Sequence, residues 1–514
     1  MNCRNSVTLW LVPALATILL PQVFVYGEDW PMFGRDNTRN AVSPEKNPPL
    51  TWNVNKPEKN IRWSADLGRQ SVGAPVISGG FVWVGTNTRK GKDASVIKCF
   101  AEKDGKLLYE YVSPRLAGSR NGGGIHDYQH VSMSSSPLVE RDRLWFLTNR
   151  WEVVCLNIAP LRKKTGQPTV VWKLDLIKEL NVFPIRPQEC AEHVPVCSIC
   201  GYKDNLYVIT GNGVDPSAEN SKGSPKAPSL VCLKKRSGQV VWQDNSPGNN
   251  LHSGQWASPT VIEVNGKAQV VAPQGDGWVR SFDAMTGKKL WELDTNPVAD
   301  RWQNNNWETW NNVLATPVFY KNRIYIANGR HDILMMAHRG HLNPGWIYCI
   351  DPTKRGNISY ELDKGNGRAV PNPNSGVVWR FGGINPKAKN RFDLPRFHFG
   401  CTTSTLAVRD NLVIAAESRG WVHCLDATTG KKYWTHDLRT NICSSPLIVD
   451  RKVYVASEDG DLFLFELAKR KHILADLDDL YMEDVIRCSP VYANGTLYIT
   501  TNTKLFAIRN SEKK

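Results

Sequence analysis

Short runs of valine, isoleucine, leucine and tyrosine, alternating with polar residues, recur along the chain from about residue 70 to the end. Each run is bounded by Gly, Asn, Asp or Pro, the pattern of β-strands joined by tight turns. The runs are organised into a repeating unit. It opens with a small residue, a proline and an apolar strand ("SSPLIV"), continues with a second strand ("KVYVAS"), and ends with two strands joined by a Thr-Gly turn ("WVHCLDATTGKKYWTHDL"). The turn is nearly the same text at 282–291 ("FDAMTGKKLW") and 425–434 ("LDATTGKKYW"). First strands begin near Ala74-Pro75, Ser136-Pro137, Ser258-Pro259, Thr316-Pro317, Ser404-Thr405, Ser445-Pro446 and Ser489-Pro490, and a weaker copy begins near Ser198. Eight tandem four-stranded units predict an all-β fold, an eight-bladed β-propeller of antiparallel blades.

An aromatic side chain recurs in the fourth strand, as Tyr109, Trp172, Trp242, Trp291, Trp379 and Trp434. A large flat ring there fills the wedge between adjacent blades. The seventh unit ("AKRKHILADLD") lacks both the Gly turn and the aromatic. The last unit has room for only three strands after Pro490, and "NIRWSADLG" near the N-terminus resembles "KKYWTHDLR", with Trp63 in the Trp position. An N-terminal strand is therefore predicted to complete the last blade, which pairs an open sheet edge and joins the chain ends.

The repeat also reinterprets the twelve cysteines, whose number would suit a disulfide-rich secreted protein. Cys99, Cys155, Cys232, Cys349 and Cys424 occupy one position of the third strand, where other copies have Ser281, Leu464 and Ala507. A slot that takes Cys, Ser, Ala or Leu is a packing slot, and thiols in five separate blades are too far apart to bridge. A disulfide from Cys190 to Cys197 or Cys200 stays open. Cys197, Cys401, Cys443 and Cys488 fall near inner-strand starts around the channel.

Four-stranded blades decide which loops share a face. The connections from strand 4 to strand 1 and from strand 2 to strand 3 lie on one face, and the Thr-Gly turns lie on the other. The long insertions 113–132, 178–197, 211–228, 244–256, 295–314, 330–345 and 383–402 all map to the first face, so binding is expected there. These loops carry the candidate ligand-face residues: His126 and His130; Glu189 and His193; His252 and Trp256; Arg301, Trp302, Trp307 and Trp310; His398; Asn441; Asp484 and Arg487. Aromatic walls with a few polar groups describe a ligand pocket. No metal site is assigned: Cys197 and Cys200 sit on a strand with no second CxxC at zinc spacing, and His126 and His130 are ligand candidates only. There is no GxSxG and no phosphate-binding loop.

Residues 1–27 read as a secretion signal, with Arg4 before the apolar "VTLWLVPALATILL" and small residues Val25 and Gly27 near the cleavage point. Residues 28–514 are then a single propeller domain, periplasmic or secreted, with no transmembrane segment after signal cleavage. The net charge of +15 is spread through turns such as Lys288–Lys289 and Lys431–Lys432, without a clustered basic helix, so no nucleic-acid partner is expected.

The "D-A-x-T-G-K-x-x-W" units at 283–291 and 426–434, with "DWPMFGRDNTRNAVSP" at 29–44, resemble the pyrroloquinoline quinone (PQQ)-type propellers. These include the quinoprotein alcohol dehydrogenases and the propeller lipoprotein of the outer-membrane assembly machinery. The dehydrogenases imply PQQ clamped between a Trp and a disulfide of adjacent cysteines, calcium held by carboxylate and amide oxygens, and a catalytic Asp. This sequence has no adjacent Cys-Cys pair, and no catalytic residue is carried over. The leading expectation is a monomeric binding or scaffolding module whose first face takes an envelope protein, a glycan or a small ligand. The alternatives are a PQQ- and calcium-dependent oxidoreductase acting on alcohols or sugars, and a hydrolase or lyase using loop histidines and carboxylates.

Overall fold

The structure, a computed structural model, describes residues 28–55, 58–88, 94–116, 132–183, 195–215, 222–251, 255–298, 311–329, 344–365, 367–387, 397–475 and 480–510. Four-stranded antiparallel sheets form eight blades, each paired strand to strand from the channel outward. The first blade runs from Val76–Ser78 to Leu107–Pro114, the second from Leu138–Glu140 to Thr169–Asp175, and the third from Cys200–Tyr202 to Val240–Asp244. The fourth runs from Thr260–Val264 to Lys289–Asp294, the fifth from Val318–Tyr320 to Val377–Gly382, and the sixth from Ala407–Arg409 to Lys432–Asp437. The seventh runs from Leu447–Val449 to Ile473–Ala475. The eighth contains Val491–Ala493, Thr496–Thr500 and Lys504–Ile508, and is completed by Ile61–Asp66 from the N-terminal side. Trp63 stands opposite Ala507, in the register the repeat predicts. The helices described are single turns such as Leu176–Leu180, and none is long and apolar enough to cross a membrane.

The cysteine slot lies directly opposite the fourth-strand aromatic. Cys99 faces Tyr109, Cys155 faces Trp172, Cys232 faces Trp242, Cys349 faces Trp379 and Cys424 faces Trp434. A β-bulge follows this pair and turns the aromatic toward the next blade. Burial pushes the Cys155, Cys232, Cys349 and Cys424 thiols up to about 12, so they stay protonated and inert.

Each docked indole reaches across the blade seam. Trp63, Trp172, Trp242, Trp379 and Trp434 donate their ring N–H to the backbone carbonyls of Glu102, Lys235, Ala284, Ala427 and Ala468, each in the strand 3-to-4 turn of the next blade. The turn glycine is the seat of the ring. A Cβ on Gly105, Gly238, Gly287 or Gly430 would meet the preceding blade's tryptophan at 2.6 Å, and all four have positive φ. The repeated Thr-Gly is therefore half of an interblade joint. Its Asp closes the turn: Asp283 and Asp426 each accept the N–H groups two and three residues on and a threonine hydroxyl.

One expectation is corrected. Not every long excursion is on the first face. Residues 352–376 connect the third and fourth strands of blade 5, on the Thr-Gly side, and fold over blade 4. Gly356–Asn357 pairs in parallel with Trp291–Glu292 on that blade's outer edge. Blade 5 has no Thr-Gly turn to seat Trp291, so its ring N–H goes instead to Gln269 of its own blade, at 3.2 Å. Cys197 and Cys200 are buried free thiols; Cys190, whose pairing with one of them the sequence leaves open, lies outside the described residues.

Residues 29–49 follow a route that no strand pattern announces. They run once around the inside of the ring and touch each blade in order. Trp30 exchanges backbone hydrogen bonds with Ile77 of blade 1, and the Pro31 carbonyl accepts from Val139 of blade 2. The Cys200 thiol of blade 3 donates to Asn37. Arg39 donates to the carbonyls of Ser198 and Pro259 at the starts of blades 3 and 4. The Thr38 carbonyl accepts from Phe319 of blade 5, and Asn40 exchanges two bonds with Val408 of blade 6. Val42–Ser43 pairs in parallel with Ile448–Val449 of blade 7, and Glu45 accepts the Asn494 and Gly495 N–H groups of blade 8. The innermost strand of every propeller blade has a free edge toward the axis, and this segment satisfies those edges.

Candidate functional site

The start of each inner strand, where the first-face loops enter the bore, carries a small residue, Ser or Thr in blades 2 to 8 and Ala74 in blade 1, followed by Pro in six of the eight. Its purpose is visible in the hydrogen bonds. The N–H of Ser136 donates to the Ser198 hydroxyl, Ser198 to Ser258, Ser258 to Thr316, Thr316 to Thr405, Thr405 to Ser445 and Ser445 to Ser489, at 2.9–3.3 Å. A ring of hydroxyls therefore staples seven blades around the bore. Ala74 holds this position in blade 1 and has no hydroxyl, and the chain of bonds from Ser136 to Ser489 leaves blade 1 out.

Above this ring the strand 2-to-3 turns line the same face. Four of them align residue for residue: Thr148 to Glu152, Gln274 to Trp278, Glu417 to Trp421 and Ser457 to Asp461, each closed by two backbone hydrogen bonds. Two turns carry a polar pair spaced six residues apart. Arg280 donates to Gln274 at 2.6 Å and to both carboxylate oxygens of Asp276. His423 Nε2 lies 2.6 Å from the Glu417 carboxylate, and its Nδ1 lies 3.0 Å from Thr435. Both pairs are buried, with His423 at 0 % and Glu417 at 4 % exposure, and Phe381 and Phe399 enclose the imidazole. They close the interblade wedge at the first-face end, as the tryptophans close it at the other end. The "Q-x5-R" and "E-x5-H" spacings at one repeat position were the sequence signal for these pairs.

The structure places five of the expected ligand-face residues. Arg487 bridges blades 7 and 8 at the bore mouth, donating to Glu458 at 2.9 Å and to Asn502 at 3.4 Å. The Cys443 thiol donates to the same Glu458 carboxylate at 3.3 Å. Burial, reinforced by Glu458, pushes that thiol well above its ordinary value, so it is a poor nucleophile. Asn441 accepts the Glu458 N–H through its carbonyl, which brings Asn441, Cys443, Glu458, Arg487 and Asn502 into one group. Asp484 lies in the same loop but spends both oxygens on the N–H of Val485 and on the N–H and hydroxyl of Thr503. His398 is half-buried on Phe381; burial, with Lys432 and Lys387, lowers its titration, so it is neutral at pH 7. Trp256 is half-buried beside Gln255, away from the blade 7–8 group. His126, His130, Glu189, His193, His252, Arg301, Trp302, Trp307 and Trp310 lie outside the described residues.

The donor set among the described residues does not suit a quinone–calcium centre. Glu417 is committed to His423, Glu458 to Arg487 and Asp484 to its own loop. Among the described residues no group of three His, Cys, Asp or Glu side chains is placed to hold a metal ion. A calcium site needs six to eight converging oxygens, which these internally neutralised pairs do not offer. What the described mouth presents is a rigid, hydrogen-bonded polar rim.

No curated protein matches the sequence. Among solved structures, BamB from Moraxella catarrhalis is 14% identical, with a TM-score of 0.51, covering 88% of this chain and 97% of that one. Quinohemoprotein alcohol dehydrogenase from Comamonas testosteroni is 12% identical, with a TM-score of 0.58, covering 95% of this chain and 81% of that one. A europium-containing methanol dehydrogenase is also 12% identical, with a TM-score of 0.57 and coverages of 94% and 98%. Likeness at this identity shows a shared fold. The family model described as outer membrane protein assembly factor BamB matches residues 193–357 and 363–512. With its eight blades and most of its length accounted for, the chain belongs to this family of PQQ-like repeat propellers.

Proposed function

We propose that the protein is an extracytoplasmic binding or scaffolding module that recognises its partner through the first face of the propeller. The observation that carries this reading is the asymmetry of the two ends of the bore. On the Thr-Gly side, residues 29–49 fill the inner edges and tie into the strand 1-to-2 turns at Gly79 and Asn494. On the first face lie most of the long insertions and the polar group around Arg487. Among the described residues Arg487 pairs with Glu458, His423 with Glu417 and Arg280 with Asp276, which suits shape and hydrogen-bond recognition more than bond-making. A secretion signal at residues 1–27 and the assembly-factor description of the family fit an envelope protein as the partner.

Site-specific photo-cross-linking in cells tests this. A photoreactive residue at Trp256, His398 or Asn441 is expected to yield discrete covalent adducts, whereas one at Lys288 or Lys431 on the opposite face yields none. Adducts from both faces alike would overturn the reading. So would saturable binding of PQQ with calcium followed by alcohol or aldose turnover, since that outcome belongs to the dehydrogenases whose fold the chain shares.

A further inference from the structure

The outer wall of the ring carries a feature that the first-face reading does not use. The fourth strands of blades 2 and 3, Thr169–Asp175 and Val240–Asp244, are the last strands of their sheets, each with one edge that no strand pairs among the described residues. At that edge Val170, Val171, Val240 and Val241 are 48%, 43%, 39% and 37% exposed. Two consecutive side chains face outward because the bulge before the tryptophan breaks the alternation. Blades 4, 6 and 8 carry a cation in this pair of positions, Lys289, Lys432 and Arg62, whereas blades 1, 5 and 7 are apolar there too, with Leu107, Val378 and Leu474 exposed. In blades 2 and 3 the cations stand beside the edge instead. Lys163, Lys164, Lys234 and Arg236 are exposed, and none has an acidic partner among the described residues.

Blade 4 shows what such an edge accepts. Its outer strand is covered by Gly356–Asn357, running parallel, and the Ile358 N–H donates to the Glu292 carbonyl at 2.9 Å. The Ser359 hydroxyl and the Glu361 carboxylate then accept the backbone N–H groups of Asp294 and Val298 at 2.9 and 2.8 Å. Under this cover Trp291 is fully buried, whereas Trp172 and Trp242 remain half-buried. We infer that the outer edges of blades 2 and 3 receive an extended, acidic segment of a partner protein as an added fifth strand. Main-chain hydrogen bonds supply the pairing, the valines and half-open indoles supply the apolar contact, and the four flanking cations select acidic residues.

The test uses the full chain and a nine-residue capped peptide copying residues 355–363, with Arg355→Glu so that the segment is acidic at both ends. Titration is followed by amide hydrogen exchange at residues 170–173 and 240–243. Saturable protection of at least about tenfold is expected there, with no change at the first face. The double variant Val171→Lys, Val241→Lys should abolish it without changing the melting temperature, and a peptide with its acids replaced by lysine should bind at least about tenfold more weakly. Should the lysines disturb folding, Val170→Thr with Val240→Thr reads the same loss. Absence of saturable protection, or protection that survives the substitutions, overturns the inference. A concentration-dependent dimer in light scattering that these variants abolish would assign the edges to a second copy and also overturn it. Neither outcome bears on the first-face cross-links, so the two readings fail separately.

Discussion

Glu102 sits at the seam where the eighth blade meets the first, 9 % exposed, with its carboxylate accepting hydrogen bonds from Asn494 at 3.0 Å and Tyr498 at 3.2 Å. Burial raises its titration above the ordinary carboxylate range, and Asp29 adds to the effect. A carboxyl whose value is raised by folding favours the folded state while protonated. That stability is present below the unfolded value and is lost as pH climbs through the raised folded value. Glu102→Gln keeps both acceptor contacts and removes the charge. It is expected to raise the melting temperature at pH 7–8 by roughly 1–2 °C, with the advantage disappearing as pH falls through the carboxylate range. Scanning calorimetry from pH 4 to pH 8 checks this, and a variant that melts lower at pH 8 would contradict it. Glu102 fills the turn position that is Lys235, Ala284, Ala427 and Ala468 in other blades, none of them a carboxylate, so no repeated pattern singled out its side chain. The five slot cysteines were legible because the repeat itself aligned them.

At the scale of the element, the Thr-Gly turn and the fourth-strand tryptophan are one device divided between neighbours. Gly287 has φ +73°, and a Cβ there would meet the Trp242 ring at 2.6 Å. Gly287→Ala is expected to cost about 1–3 kcal/mol, from backbone strain and collision with the indole. Trp242→Ala is expected to cost about 3–5 kcal/mol. The double variant should cost less than the sum by about 1 kcal/mol, because removing the ring removes the collision. Urea midpoints of the four proteins give the coupling, and strict additivity would separate the two parts. Strand, turn and aromatic could all be read from the sequence, because each is a local pattern repeated many times. That the glycine of one unit serves the tryptophan of the unit before it could not be read, since the contact crosses a seam between blades.

For the whole molecule, closure rests on the N-terminal 40 residues of the described chain twice over, through the strand Ile61–Asp66 and through the inner girdle 29–49. Deleting residues 28–70 is expected to abolish cooperative unfolding in circular dichroism, and a truncated chain that melts like the full one would refute the closure. A finer test is Arg39→Lys. The Arg39 guanidinium is 0 % exposed and donates to the carbonyls of Phe33, Ser198 and Pro259. One ammonium cannot address three separated carbonyls in that geometry. The expected loss is on the order of 3 kcal/mol, read from the urea midpoint, and a silent substitution would remove Arg39 as the pin of the girdle.

The eight blades, the strand that closes the ring, the buried thiol slot and the face that carries most of the insertions were all determined by the sequence by itself. Each follows from short-range periodicity or from copying, and copies report their own alignment. Tertiary structure alone decided the path of residues 29–49, the cover over blade 4 and the pairing of Arg487 with Glu458. These join positions far apart in the chain, such as Asn40 and Val408 at a separation of 368 residues, through hydrogen bonds that leave no period behind. A propeller brings such positions together only because the ring closes, and closure belongs to all eight sheets at once.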